Sequence, residues 1–230
     1  MGRSFKTWLV SLALALASVS CYAQAWTEGK NYFRVDPPQR TSVAPGKVEV
    51  MEVFSYACPA CNAFQPIMQA LKKSLPPNAQ VVYLPASFVP AEDWPVFQRA
   101  YFAADALGIA AKTHDAMFNA VWTTGELAVS DPTTHRLKNP LPSIENVARF
   151  YSRTAGVPAD KFLAMAKSFT VDAKMKQADT QIGAMQALST PTLIVNGKYR
   201  MDTNSAGSYD KLVQLVKYLV TKESGPNSGK

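Results

Sequence analysis

Cys58 and Cys61 form a single C-x-x-C pair, Cys58-Pro59-Ala60-Cys61. On a helix this spacing puts the two sulfurs one turn apart on one face, close enough to bridge. Such a pair can cycle between dithiol and disulfide. Two other uses of the pair compete with that one. Half a zinc site would need further ligands, and His114 and His135 are single and distant in sequence, so no metal is expected. An inert structural disulfide stays open, but closing so short a loop restrains the unfolded chain little, which favours redox chemistry.

The pair needs a rigid platform, and the flanking sequence supplies one. Lys47–Ser55 (KVEVMEVFS) is rich in β-branched residues and reads as a buried strand. From Cys58 to Leu75 the apolar positions Cys61, Phe64, Met68, Leu71 and Leu75 recur at helical spacing. Pro59 suits the first turn, Pro66 is expected to kink the helix, and Pro76-Pro77 ends it. Cys58 therefore falls at a helix N-terminus, where free N–H groups and the macrodipole favour a thiolate. Cys61 belongs to the apolar stripe and is the expected buried partner, with Cys58 exposed. Strand alternation puts Glu52 on a face with Val48, Val50 and Phe54. A carboxyl there is either a solvated edge position or a buried group that keeps its proton.

Gln80–Leu84 reads as a second strand, giving β-α-β, with a further short strand near Tyr32–Val35. The middle of the chain carries only helical signals. Trp94, Phe97, Tyr101 and Ala104 mark one helix, and Ala110, Met117, Val121 and Trp122 another. Thr123–Pro142 reads as a loop. Ser143 can cap a helix that Gly156 stops, Pro158–Phe169 is a short helix, and Val171 to Met185 a long one. Thr192–Val195 and Lys198–Met201 flank Asn196-Gly197, a strong hairpin signal. A last helix is expected over Gly207–Thr221, followed by a polar tail.

The 230 residues suffice for one large or two small domains, and 47 % hydrophobic content can build a core. The net charge of +7 is spread along the chain without a run of five like charges, which argues against nucleic-acid binding. Arg3 and Lys6, the apolar run Trp8–Ala17 and Ala23-Gln24-Ala25 read as a cleavable export signal over residues 1–25. A membrane anchor or a lipidated Cys21 fits less well: the second half of the stretch is polar, and Ser18-Val19-Ser20 lacks a Leu-like residue before Cys21. Export leaves Cys58 and Cys61 as the working cysteines.

The order strand, C-P-x-C, helix, strand, helical block, Thr-Pro, hairpin and helix resembles the DsbA-like thiol-disulfide oxidoreductases of the thioredoxin superfamily. The segments that carry the resemblance are Phe54–Cys61 (FSYACPAC) and Ser189–Tyr199 (STPTLIVNGKY). It implies an α/β thioredoxin-like fold with a large inserted all-helical domain: 26–89 and 170–230 for the thioredoxin-like part and 90–169 for the insert. It also implies that Pro191 is cis against the cysteines, and that Pro59, Ala60, Thr190 and Pro191 border the substrate. Glu52 matches a family glutamate that accepts the proton of Cys61. The chain departs from some relatives at Ala60, where they carry His, and at Gln65, where they carry Glu. Gln80-Val81-Val82-Tyr83 offers no basic partner for Glu52. Without the His donor, a less stabilised Cys58 thiolate and a less oxidising disulfide are expected.

The implied function is that of a monomeric periplasmic dithiol oxidase with no cofactor beyond the Cys58–Cys61 disulfide. It would oxidise reduced, unfolded exported proteins, with a quinone-linked membrane partner restoring its disulfide. A disulfide isomerase or reductase of the same fold is the rival enzyme, although residues 26–46 are too short for the dimerisation domain of dedicated isomerases. A thioredoxin-like binding module without activity is the third reading.

Overall fold

A computed structural model describes residues 25–225. The export signal read over 1–25, Cys21 included, lies outside the described residues but for Ala25.

A five-stranded sheet carries the fold, in the order β1 (Phe33–Arg34), β5 (Tyr199–Met201), β4 (Thr192–Val195), β2 (Val48–Phe54) and β3 (Ala79–Pro85). One of its three interior strands is β2 (Val48–Phe54), all seven residues of which are buried. It runs parallel to β3 (Ala79–Pro85) and antiparallel to β4 (Thr192–Val195). A strand covered on both faces and both edges leaves no solvated position, and that removes the edge reading of Glu52. The alternation expected from sequence holds for Val48 and Val50, which join the core with Phe64 and Met68. Phe54 departs from it and packs with Met51 and Val53 in the other core. The β4 ladder stops at Val53, and Phe54 turns edge-on to Tyr56, Tyr83, Tyr101 and His114.

The hairpin forms as its sequence predicts. β5 (Tyr199–Met201) pairs with β4, and both turn residues have positive φ, 53° at Asn196 and 65° at Gly197. Glycine is required at the second position: a Cβ there would run into the Gln39 carbonyl. β1 (Phe33–Arg34) is shorter than expected, but Val35 and Gln39 go on donating to the Lys198 and Gly197 carbonyls at 2.7 and 2.9 Å.

Helix α1 (Pro59–Ser74) runs unbroken through Pro66 and buries Cys61, Phe64, Met68 and Leu71. Helix α8 (Tyr209–Glu223) adds Leu212, Leu215 and Val216 to the core on the same side of the sheet. It begins later than the sequence suggested. Asp202 caps a separate short helix α7 (Thr203–Ala206), Gly207 closes it at φ 95°, and Ser208 caps α8.

Between β3 and β4 the regular elements are helical: α2 (Trp94–Ala106), α3 (Ala110–Trp122), α4 (Ile144–Ala155), α5 (Ala159–Ala166) and α6 (Phe169–Ala184), with a 3-10 turn at Pro90–Glu92. Ser143 and Asn146 form a capping box on α4, and Gly156 ends it in the left-handed region. Helices α2 and α6 are tied by Gln98 to Asp179 (2.8 Å) and by Arg99 to Asp172 (2.6 Å).

Candidate active site

The C-terminal end of β2 delivers the chain into a tight turn. Cys58 N–H donates to the Ser55 carbonyl at 3.2 Å, and Ala57 N–H to the Ser55 hydroxyl at 3.2 Å. Cys58 is the N-cap of α1, with extended backbone (φ −82°, ψ 119°). Its Sγ does the work of a capping oxygen, accepting the Cys61 N–H at 3.4 Å. Pro59 and Ala60 form the first turn, where a missing N–H at Pro59 leaves no bond unmade. Both cysteines are free thiols.

The second segment arrives from the far end of the chain. The Thr190–Pro191 peptide bond is cis. The Thr190 carbonyl oxygen accepts from the Cys58 thiol at 3.5 Å, so Thr190 covers the cysteine. This corrects the expectation of an exposed Cys58, which retains only 4 % of its surface against none for Cys61. The order of the two is as the helical position predicts, but the contrast is small.

Electrostatics separates the pair far more than exposure does. The hydrogen bond from the Cys61 thiol is the largest influence on Cys58. With the Thr190 side chain and the N–H groups of Cys61 and Ala60, it outweighs burial and holds Cys58 down to about 6. The Thr190 carbonyl is a partner for the thiol alone, because a thiolate has no proton to donate. Burial pushes Cys61 well above the ordinary thiol range, and its hydrogen bond to Cys58 and the charge of Glu52 add to that. Glu52, paired in register with Leu193 and Tyr83, is pushed up to about 8 by burial and by the nearby Cys58 charge. Cys58, Cys61, Thr190 and Glu52, scattered over the sequence, thus share one site.

Three further contacts hold this site, and the sequence did not reveal them. The Trp122 indole N–H donates to the Tyr56 carbonyl at 2.7 Å, tying α3 to the turn that carries Cys58. Tyr56 Oη lies 3.0 Å from His114 Nδ1 inside an aromatic cluster. Burial draws His114 down to about 3, so it is a neutral imidazole within this cluster. Gln65 and Gln69 of α1 both donate to Asp115 Oδ1 on α3, at 2.6 and 2.8 Å. At sequence level Trp122 and His114 were indistinguishable from core residues of an amphipathic helix. Among the described residues, no three His, Cys, Asp or Glu side chains cluster as metal ligands would.

Comparison with known proteins agrees with this geometry. Residues 44–217 match the thioredoxin family, so the fold and the paired cysteines define a thioredoxin-type oxidoreductase. The chain is similar to the thiol:disulfide interchange protein DsbA of Pseudomonas aeruginosa, at 33 % identity over 218 residues, 94 % of this chain and 95 % of the relative. The DsbA of Burkholderia cepacia is 30 % identical over 220 residues, 96 % of each chain. Among solved structures, P. aeruginosa DsbA superimposes with a TM-score of 0.71 at 33 % identity, covering 86 % of this chain and 94 % of that one. The Xylella fastidiosa oxidoreductase DsbA gives a TM-score of 0.73 at 29 % identity, covering 85 % and 96 %. The chain belongs to the DsbA family of thiol:disulfide interchange proteins, and its fold is the thioredoxin-like α/β fold expected from the sequence.

Proposed function

We propose that the protein donates a Cys58–Cys61 disulfide to reduced, unfolded exported proteins, with Cys58 as the exchanging sulfur. The observation that carries this reading is the asymmetry of the pair: Cys58 held down to about 6 and Cys61 pushed well above the thiol range. A substrate thiolate attacks Cys58 Sγ and the Cys58–Cys61 bond breaks. Cys61 leaves and takes up a proton, for which Glu52, protonated below about 8, is the donor. A second substrate thiolate then attacks the substrate sulfur of the mixed disulfide. The Cys58 thiolate departs, stable as such, which drives the transfer forward. Two substrate thiols have become one disulfide, and the protein disulfide has become the dithiol.

Pro59, Ala60, Thr190 and Pro191 are the substrate-facing residues in this reading, supported by the 3.5 Å approach of Thr190 to Cys58. No cofactor is required beyond the two sulfurs. Residues 26–89 and 170–230 form the thioredoxin-like part in this reading, and all five strands fall within them. The family and the leader-like N-terminus support action in the periplasm as a monomer, with a quinone-linked membrane partner as reoxidant. No described helix is long and apolar enough to cross a membrane.

The test mixes the oxidised protein with a reduced, unfolded protein that has an even number of cysteines. One equivalent of substrate dithiol should be oxidised per protein, with recovery of the Cys58/Cys61 dithiol by mass spectrometry. An unchanged substrate would leave only the binding-module reading. Faster reshuffling of scrambled disulfides than oxidation of thiols would favour the isomerase.

A further inference from the structure

Residues 123–142 join α3 to α4 without a helix or strand of their own, a length that in compact domains marks functional loops. The loop is nevertheless held in place. Asp131 Oδ1 accepts the Thr133 and Thr134 N–H groups at 2.9 and 2.7 Å, and Lys138 Nζ donates to the Gly125 carbonyl at 3.0 Å. Ser130 bridges to Leu137, and Leu127 is buried. Folded back on the end of α3, the loop encloses a cavity of about 310 Å³. Val121, Trp122, Ala128, Val129, Pro132 and His135 line it, and no Asp, Glu, Lys or Arg side chain does. Leu137, the bridge partner of the lining residue Ser130, leaves 48 % of its surface exposed beside it.

Trp122 joins this cavity to the redox site, since the same indole donates to the Tyr56 carbonyl at 2.7 Å. Tyr56 precedes Cys58 by two residues, at most about 7 Å of chain. An extended substrate advances about 3.3 Å per residue. A side chain two to four residues from a cysteine bonded to Cys58 therefore has the reach to span this separation.

We propose that this cavity takes one apolar side chain, of Leu, Met or Phe size, from the polypeptide whose cysteine reacts at Cys58. It gives the protein a preference for cysteines with an apolar neighbour two to four residues away. This deepens the exchange function proposed above and rests on it. The volume is at the small end for ligand sites, which run from about 300 to 1,000 Å³, so it suits a side chain and not a large cofactor. The lining favours an uncharged, apolar group, and the loop is ordered before anything binds, so little entropy is lost on docking. An unfolded chain offers such side chains, whereas a folded one has buried them. The cavity thus selects the substrates that still need disulfides.

The test uses the oxidised protein and polar peptides with one cysteine, carrying Leu or Ser two, three or four positions to either side. The peptide thiolate attacks Cys58, Cys61 leaves and is protonated, and the rate of mixed-disulfide formation is followed by stopped flow. At one or more positions Leu should raise the rate about tenfold over Ser. Ser130→Trp, which fills the cavity, should cut that preference below twofold, and Thr124→Trp serves if the first variant does not fold. Equal Leu and Ser rates at every position, or an undiminished preference in the folded variant, overturn the proposal. A parallel reaction with glutathione separates the two levels. No oxidation of glutathione removes the exchange reading itself, while its oxidation without any Leu preference removes only the cavity.

Discussion

Cys58 and Thr190 stand 132 positions apart in the chain, yet the sulfur of the first lies 3.5 Å from the carbonyl oxygen of the second. The contact lies where two adjacent strands of the sheet meet the site, at the point where β2 gives way to α1 and where β4 begins. The junction covers Cys58, while Cys61 is buried separately, on the inward face of α1.

The asymmetry of the pair predicts the order of alkylation. With Cys58 held down to about 6 and Cys61 well above the thiol range, a limiting alkylating reagent at neutral pH should modify Cys58 first. The rate should rise with pH through about 6. Cys58→Ser should abolish thiol oxidation, and Cys61→Ser should accumulate mixed disulfides through Cys58. Peptide mapping of the alkylated protein checks the assignment, and preferential modification of Cys61 would reverse the two roles.

The same depression predicts which redox form is the more stable. The thiol ionises near 9 in the unfolded chain and near 6 in the folded dithiol. Between those values the unfolded chain binds the extra proton, so the contribution of Cys58 to the stability of the reduced form rises with pH, by at most about 1.4 kcal/mol per pH unit. The stabilisation is present above the unfolded value and is lost as pH falls through 6. The disulfide form has no such thiolate and gains little from its short loop. Urea midpoints should therefore be higher for the reduced protein, with a gap that widens from about pH 6 towards 9. A more stable oxidised form would mark the disulfide as structural.

The sequence made the redox pair legible because C-x-x-C, Pro59 and the apolar stripe from Cys61 to Leu71 are all local. The hairpin was legible for the same reason, since Asn196-Gly197 dictates its own turn. What stayed hidden depends on contacts across the fold. Nothing near Cys58 announces that Thr190 will cover it, and Glu52 has two meanings until β3 and β4 are known to flank its strand. Trp122 carried the weakest signal: its spacing with Val121 and Met117 fits a core helix, and its indole bond to Tyr56 spans 66 positions. The Asp202 and Ser208 caps were readable but lay hidden within a longer apolar pattern.

Trp122 should act on the thiol through the backbone. Its indole satisfies the Tyr56 carbonyl in the turn that presents Cys58, and Trp122→Phe keeps an aromatic ring but removes the donor. Leaving the carbonyl unpaired should destabilise the fold by about 1–3 kcal/mol. It should also raise the thiol pKa of Cys58, because an unpaired carbonyl dipole near the sulfur disfavours negative charge. Thiolate absorbance titration of Trp122→Phe against the unchanged protein tests this. A loss of stability with an unmoved titration curve would make Trp122 a packing residue only.

Glu52 gives the sharpest prediction, because stability and catalysis should respond in opposite directions. Its carboxyl ionises near 4.5 when solvated and near 8 in the folded dithiol, burial being the main cause and the Cys58 charge the second. Between those values the folded protein holds a proton that the unfolded chain has released. Stability contributed by this group is fully present below 4.5 and lost as pH rises through 8, again by at most about 1.4 kcal/mol per pH unit. Glu52→Gln is neutral and nearly isosteric, so the variant should match the wild type in acid and exceed it increasingly towards pH 8. In the disulfide form the Cys58 charge is gone, so the advantage should be smaller there. Reoxidation tells the other half. Cys61 must lose its proton for the disulfide to re-form, and only an ionised Glu52 can accept it, so wild-type turnover with excess oxidant should rise with pH towards about 8, a rise that Glu52→Gln, whose amide cannot accept the proton, should lack. Paired denaturation and reoxidation series across pH measure both effects. A variant that is more stable yet reoxidises at the wild-type rate throughout would show that Glu52 is a buried carboxyl without a part in proton transfer.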